Sequence, residues 1–175
     1  MKHLILIGFK NVGKTTIGQK IATKLQLPFL DLDDAIMRKN HQLTGEKLSC
    51  RSLIKQSGEE FFRQLEHQVF KQILSHEKPH VIAVGGGTPM LESNRKLMKN
   101  HRIILIESPK SVVYERIMIN GKPAFFPEIQ DAFTTFQTLW QEREPVFKSL
   151  ATISIENSSS IEAAVEKLFQ KLIKN

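Results

Sequence analysis

Five short apolar runs punctuate the chain: Leu4–Ile7, Phe29–Leu30, Val81–Val84, Ile103–Ile106 and Ile153–Ile155. Each has the length of a strand rather than a helix. Between them, apolar positions recur at helical spacing over Thr16–Leu25, Glu59–Leu74, Glu92–Met98, Ser111–Ile119, Phe133–Phe147 and Ile161–Ile173. Strand patterns alternating with helix patterns predict βαβ units. The expected fold is α/β, a three-layer α/β/α arrangement around a central, mostly parallel five-stranded sheet. Two stretches break the rhythm. Residues 34–58 are polar and helical in pattern. Residues 120–131 hold Gly121, Pro123, Pro127 and a phenylalanine pair without a clean period. Both leave the sheet at the carboxyl ends of its strands, where open α/β sheets bind ligands, so each is placed to cover a bound molecule. There is no internal repeat, low-complexity tract or linker, and residues 1–175 read as one domain.

Composition narrows the setting. A chain of 175 residues can bury a sizeable core without staples. Its single cysteine, Cys50, allows no internal disulfide, which fits a reducing compartment and predicts a cytoplasmic protein. Cys50 has no clear local partner for nucleophilic work and reads as an ordinary side chain. The first apolar run leads straight into a glycine loop, so it is a core strand rather than a signal peptide. No run approaches membrane-spanning length. The net charge of +7 favours anionic partners. Because the lysines are scattered, without an arginine-rich tract interleaved with aromatics, nucleic acid is not expected among them. The expectation is a monomer acting on small molecules.

The sharpest motif is Gly8-Phe9-Lys10-Asn11-Val12-Gly13-Lys14-Thr15. Two glycines, a lysine and a hydroxyl residue stand between a buried strand and a helix start, which is the phosphate-loop arrangement. Its backbone N–H groups and the helix dipole favour phosphate. Lys14 would reach the outer phosphates of ATP, and the Thr15 hydroxyl would hold Mg²⁺. Asp31-Leu32-Asp33 follows the second strand, and strand alternation would set both carboxylates on one side. One suits the metal; the other suits orienting or deprotonating an acceptor hydroxyl. Val81–Val84 ends in Gly85-Gly86-Gly87 rather than in an aspartate, which makes Asp31 the better metal candidate. Asp34 is expected only to cap a helix. Arg63 and Arg143 have the geometry for a carboxylate, although pairing with neighbouring glutamates is equally open.

Together these residues resemble the shikimate kinase family, over nearly the whole chain and in the right order. The resemblance rests on Gly8–Thr16, Asp31 with Asp33, Gly58-Glu59 followed by Phe62-Arg63 and Glu66, the Gly85–Gly87 triplet, Tyr114-Glu115-Arg116, and Arg143 with Pro145. It implies phosphorylation of the 3-hydroxyl of shikimate by ATP with Mg²⁺. It makes Asp33 the base, and gives the shikimate carboxylate to Arg63 and Arg143. Gly85, Gly86 and Gly87 would lie against the ring hydroxyls, and Thr15 and Asp31 would serve the metal. Gly8, Asn11, Gly13, Lys14, Thr15 and Thr16 would hold ATP, with Arg116 along the adenine. Residues of about 34–60 become the acceptor-binding insertion and about 120–131 the lid. Two features depart from the family pattern. The lid carries Lys122-Pro123 where arginine precedes proline, so Lys122 is expected to meet the transferring phosphate. The stretch Asn40–Gln56 is also longer than usual. A gluconate kinase-like enzyme or a non-catalytic nucleotide-binding module would share part of this set. Trp140, three residues before Arg143, is expected to sense the acceptor.

Overall fold

The computed structural model describes residues 2–119 and 131–174. The sheet has five strands: β1 (Leu4–Ile7), β2 (Phe29–Asp31), β3 (Val81–Ala83), β4 (Arg102–Glu107) and β5 (Ile153–Glu156). Their order is β2-β3-β1-β4-β5, and among the described residues every pairing is parallel. Parallel strands need crossovers, and here helices provide them. Strand β1 is central and wholly buried, which is why Leu4-Ile5-Leu6-Ile7 is continuously apolar. Strand β5 lies at the edge and alternates buried with exposed positions.

The helices are α1 (Lys14–Leu25), α2 (Leu32–Thr44), α3 (Cys50–Leu74), α4 (Glu92–Met98), α5 (Lys110–Ile119), α6 (Ala132–Leu150) and α7 (Ile161–Ile173). Helices α1 and α7 pack together in one layer. In the other, α3, α4 and α6 gather around a short 3₁₀ turn, Thr88–Met90. Apolar faces of both layers meet the sheet in one core, centred on residues such as Ile5, Leu6, Ile82, Phe70 and Ile104. Among the described residues no helix is long and apolar enough to cross a membrane.

The expected helix after the phosphate loop begins two residues early, at Lys14. Gly13 stands at its N-cap in the left-handed region, so Lys14 and Thr15 already belong to the first turn. The region read as a polar helical insertion consists of α2 and the first half of α3. Gly45 ends α2 at φ 77°, and Ser49 caps α3 by accepting a bond from the Ser52 N–H. Gly58, at φ 85° and ψ 160°, interrupts α3. The second half therefore restarts at a new angle and carries Phe62, Arg63 and Glu66 on its inner side. Lys122 and the rest of the expected lid up to residue 130 lie outside the described residues. Asp131, at the end of that stretch, caps α6.

Candidate active site

The site grows from the carboxyl end of β1. Gly8 takes φ 138°, and a β-carbon there would overlap the Ile106 carbonyl oxygen of β4. Only glycine lets the loop turn this close to the sheet. Asn11 is also left-handed, at φ 64°. Its side chain donates to the Arg116 carbonyl at 3.2 Å, and the Arg116 guanidinium donates back to the Asn11 carbonyl at 3.3 Å. This reciprocal pair fastens the loop to α5. On the other side Asn157 donates to the Val12 carbonyl at 2.9 Å. The first turn of α1 has no side-chain cap, so its N–H groups are left for an anion. Asn11, Gly13, Lys14, Thr15, Thr16 and Arg116 line an open cleft of about 310 Å³ at this helix end.

Lys14 folds back over the loop and donates to the carbonyls of Gly8 and Phe9 at 3.0 and 2.7 Å. Burial lowers its pKa from 10.5 to about 8, against the attraction of Asp33 and Asp31. Thr15 donates its hydroxyl to Asp31 at 2.8 Å. The other Asp31 oxygen accepts the Asp33 N–H at 3.0 Å and thereby caps α2.

This corrects two expectations. Strand alternation does not pair the aspartates, because β2 ends at Asp31 and α2 begins at Leu32. The first helical turn swings Asp33 onto the same side. The capping residue is Asp31, not Asp34. Both Asp31 and Asp33 nonetheless line a second cavity of about 290 Å³, joined to the first through Asn11, Lys14 and Thr15. Burial raises the Asp33 pKa from 3.8 to about 6, and the neighbouring Asp31 adds to the effect. A carboxylate poised there suits proton transfer near neutral pH.

Gly85, Gly86 and Gly87 form one wall of this cavity, with Arg63 and Arg143 beside them. A β-carbon on Gly87 would sit 2.5 Å from the Arg63 guanidinium, so the missing side chain is what lets the arginine lie against the backbone. Arg63 is held at 2.9 Å by Glu66, which is 1% exposed and also accepts the Thr88 hydroxyl at 2.7 Å. A weaker contact reaches Glu59 at 3.4 Å. Burial and the nearby Arg63 both push the Arg143 pKa down from its ordinary value. Two guanidiniums held within reach of each other in one cavity suit an anion between them.

Lys10, Cys50, Arg51, Ile54 and Phe62 also line the cavity; Lys10 and Phe62 stand within the sequence motifs without being singled out as site residues, and Cys50, Arg51 and Ile54 carry no such signal. Glu66 had one, since i and i+3 positions meet on a helix. The Cys50 thiol points to the Asp33 carbonyl at 3.7 Å, and burial next to Asp33 pushes its pKa to about 12. It is therefore a protonated wall group at neutral pH. Trp140 does not line the cavity. It stacks on Phe9 of the phosphate loop, with ring centroids 4.0 Å apart and an interplanar angle of 2°.

Among the described residues no three His, Cys, Asp or Glu side chains cluster closely enough to form an all-protein metal cage. A phosphate loop at the end of a central parallel strand, opening onto an acceptor-sized cavity with a poised carboxylate, defines a phosphate-loop kinase. Residues 10–173 match the family model described as shikimate kinase. The chain belongs to the shikimate kinase family. A shikimate kinase of Caldanaerobacter subterraneus subsp. tengcongensis is 34% identical over 99% of this chain and 98% of its own. The crystal structure of shikimate kinase from Aquifex aeolicus superposes with a TM-score of 0.81 at 27% identity, covering 97% of this chain and 95% of that one. Shikimate kinase from Acinetobacter baumannii, solved in complex with shikimate, has the same fold, with a TM-score of 0.87 at 24% identity over 100% of this chain and 94% of its own.

Proposed function

We propose that this chain transfers the γ-phosphoryl group of ATP to the 3-hydroxyl of shikimate, giving shikimate 3-phosphate and ADP. The observation that carries this reading is one cavity lined by Asp33 and Lys14 together with Arg63 and Arg143. Shikimate carries a carboxylate on the same ring as the reacting hydroxyl, and the two arginines supply its complement. Glu66 fixes Arg63 from behind, and the glycine triplet lets the ring approach the backbone.

ATP enters the open cleft with its phosphates on the uncapped N-terminus of α1 and its adenine toward Arg116. Lys14 then leaves the Gly8 and Phe9 carbonyls for phosphate oxygens. Asp33 orients the acceptor hydroxyl and takes its proton as the oxygen–phosphorus bond forms. The bond to the β–γ bridging oxygen breaks, and its electron pair leaves with ADP. The Thr15 hydroxyl and Asp31 carboxylate, 2.8 Å apart, fit the one or two protein oxygens that Mg²⁺ uses beside substrate phosphates. Bound there, Mg²⁺ would neutralise phosphate charge. Catalysis by the chain is then positioning and electrostatics.

Segment 34–60 forms the acceptor-side wall in this reading, supported by Cys50, Arg51 and Ile54 at the cavity. The enzyme works as a cytoplasmic monomer comprising one domain. A coupled assay of ADP release tests the reading. Release should require both Mg²⁺ and shikimate, whereas robust hydrolysis indifferent to shikimate would sink it.

A further inference from the structure

The phosphate loop carries two lysines, and only Lys14 has a part in the reading above. Lys10 stands two residues after Gly8, at the bend of the loop. It lines the acceptor cavity together with Asp31, Asp33 and Arg143. It does not line the nucleotide cleft, although its loop neighbours Asn11, Lys14 and Thr15 line both. Its backbone N lies 3.5 Å from where a Gly86 β-carbon would be, so the loop bend and the glycine triplet face each other across the junction. Lys10 thus sits on the acceptor side of the point where the γ-phosphoryl group must cross.

The charges there leave it a task. Lys14 is directed to the loop carbonyls and to phosphates entering from the cleft. Arg63 is engaged by Glu66 and Glu59. In a loose transition state negative charge spreads over the equatorial oxygens of the group in flight, some of which face the acceptor rather than the nucleotide. A cation on that side stabilises the transition state more than bound ATP.

We propose that Lys10 is a second phosphoryl-contacting cation, which meets the group from the acceptor side during transfer and holds the new phosphate ester until release. This rests on the kinase reading above.

The test is steady-state kinetics of Lys10→Met and Lys10→Arg with ATP, Mg²⁺ and shikimate. Lys10→Met should lower kcat about 10- to 100-fold, below the loss seen for a fully enclosed donor because Lys10 is solvent-exposed. KM for ATP should change less than about threefold, since Lys10 lies outside the nucleotide cleft. Lys10→Arg should restore most of the rate. Unchanged kcat would overturn the proposal, as would a rise in KM for ATP with kcat intact, the mark of a loop-shaping residue. Wild-type enzyme that releases no shikimate-dependent ADP would instead overturn the kinase reading itself.

Discussion

Replacing Asp33 by asparagine should make the protein more stable and nearly inactive. In the folded chain its carboxyl titrates near 6 rather than 3.8, first because it is buried and then because Asp31 faces it. Between those two values the folded state binds the proton that the unfolded chain has released. Stability from this group is therefore present at low pH and lost as pH rises through the window, and the full cost stands above pH 6. Roughly two pH units at about 1.4 kcal/mol each give about 3 kcal/mol. Asparagine has nearly the same shape without the charge and removes that cost. Lys14 works in the opposite direction. Asp33 is the foremost influence raising its pKa, so a protonated Lys14 becomes harder to bury without it. A net gain of about 1–2 kcal/mol at pH 7.5 remains. For a chain of this size that is a rise in Tm of about 2–8 °C. The gain should shrink as the pH is lowered toward 4.5, and thermal unfolding of both proteins across that range measures it. Turnover should fall about a hundredfold or more in the same variant. A variant less stable than wild type at pH 7.5, with the same pH slope, would refute the reasoning and make Asp33 a satisfied structural anion.

Arg63→Ala or Arg143→Ala should raise KM for shikimate about 30- to 150-fold, the loss of one charge-assisted bond worth about 2–3 kcal/mol, while ATP binding changes little; equal loss of ATP affinity would mark both arginines as structural. Lys122→Ala should lower kcat about 10²- to 10³-fold and Lys122→Arg should keep or raise it; near-wild-type turnover for the alanine variant removes Lys122 from the mechanism. The pH profile of kcat/KM for ATP should be bell-shaped, falling below about pH 6 as Asp33 gains a proton and above about pH 8 as Lys14 loses one. At saturating ATP the alkaline limb of kcat should move upward, because bound phosphate holds the Lys14 proton; a limb that stays put would mean Lys14 does not meet the nucleotide.

Much of the frame was legible because it rests on strong local rules. A fully buried parallel strand must be continuously apolar, so β1 announces itself, and two glycines with a lysine at the right spacing leave few alternatives for the loop after it. Asp31 and Asp33 line one cavity, but not through the strand alternation that the sequence suggests. Where β2 stops depends on its edge pairing with β3 and on Asp31 capping α2, neither of which follows from a two-residue alternation. Lys10, Cys50 and Arg51 were not legible as cavity residues, because their placement depends on how the loop bend and the first half of α3 come together. Glu66 matters because Thr88, on the 3₁₀ turn packed against α3, and Arg63, one helical turn away, both donate to it. The spacing of Trp140 from Arg143 predicts that it senses the acceptor. Its stacking on Phe9 instead links it to the phosphate loop, so any fluorescence response should follow nucleotide binding as much as the acceptor.

The most direct measurement is the mass of the acceptor after incubation with ATP and Mg²⁺, with shikimate and gluconate present at equal concentration. The cavity built from Asp33, Arg63 and Arg143 predicts one phosphoryl group added to shikimate, one ADP released per product, and no added mass on gluconate. Phosphorylated gluconate with unmodified shikimate, or ADP formed with both acceptors unchanged, would contradict it.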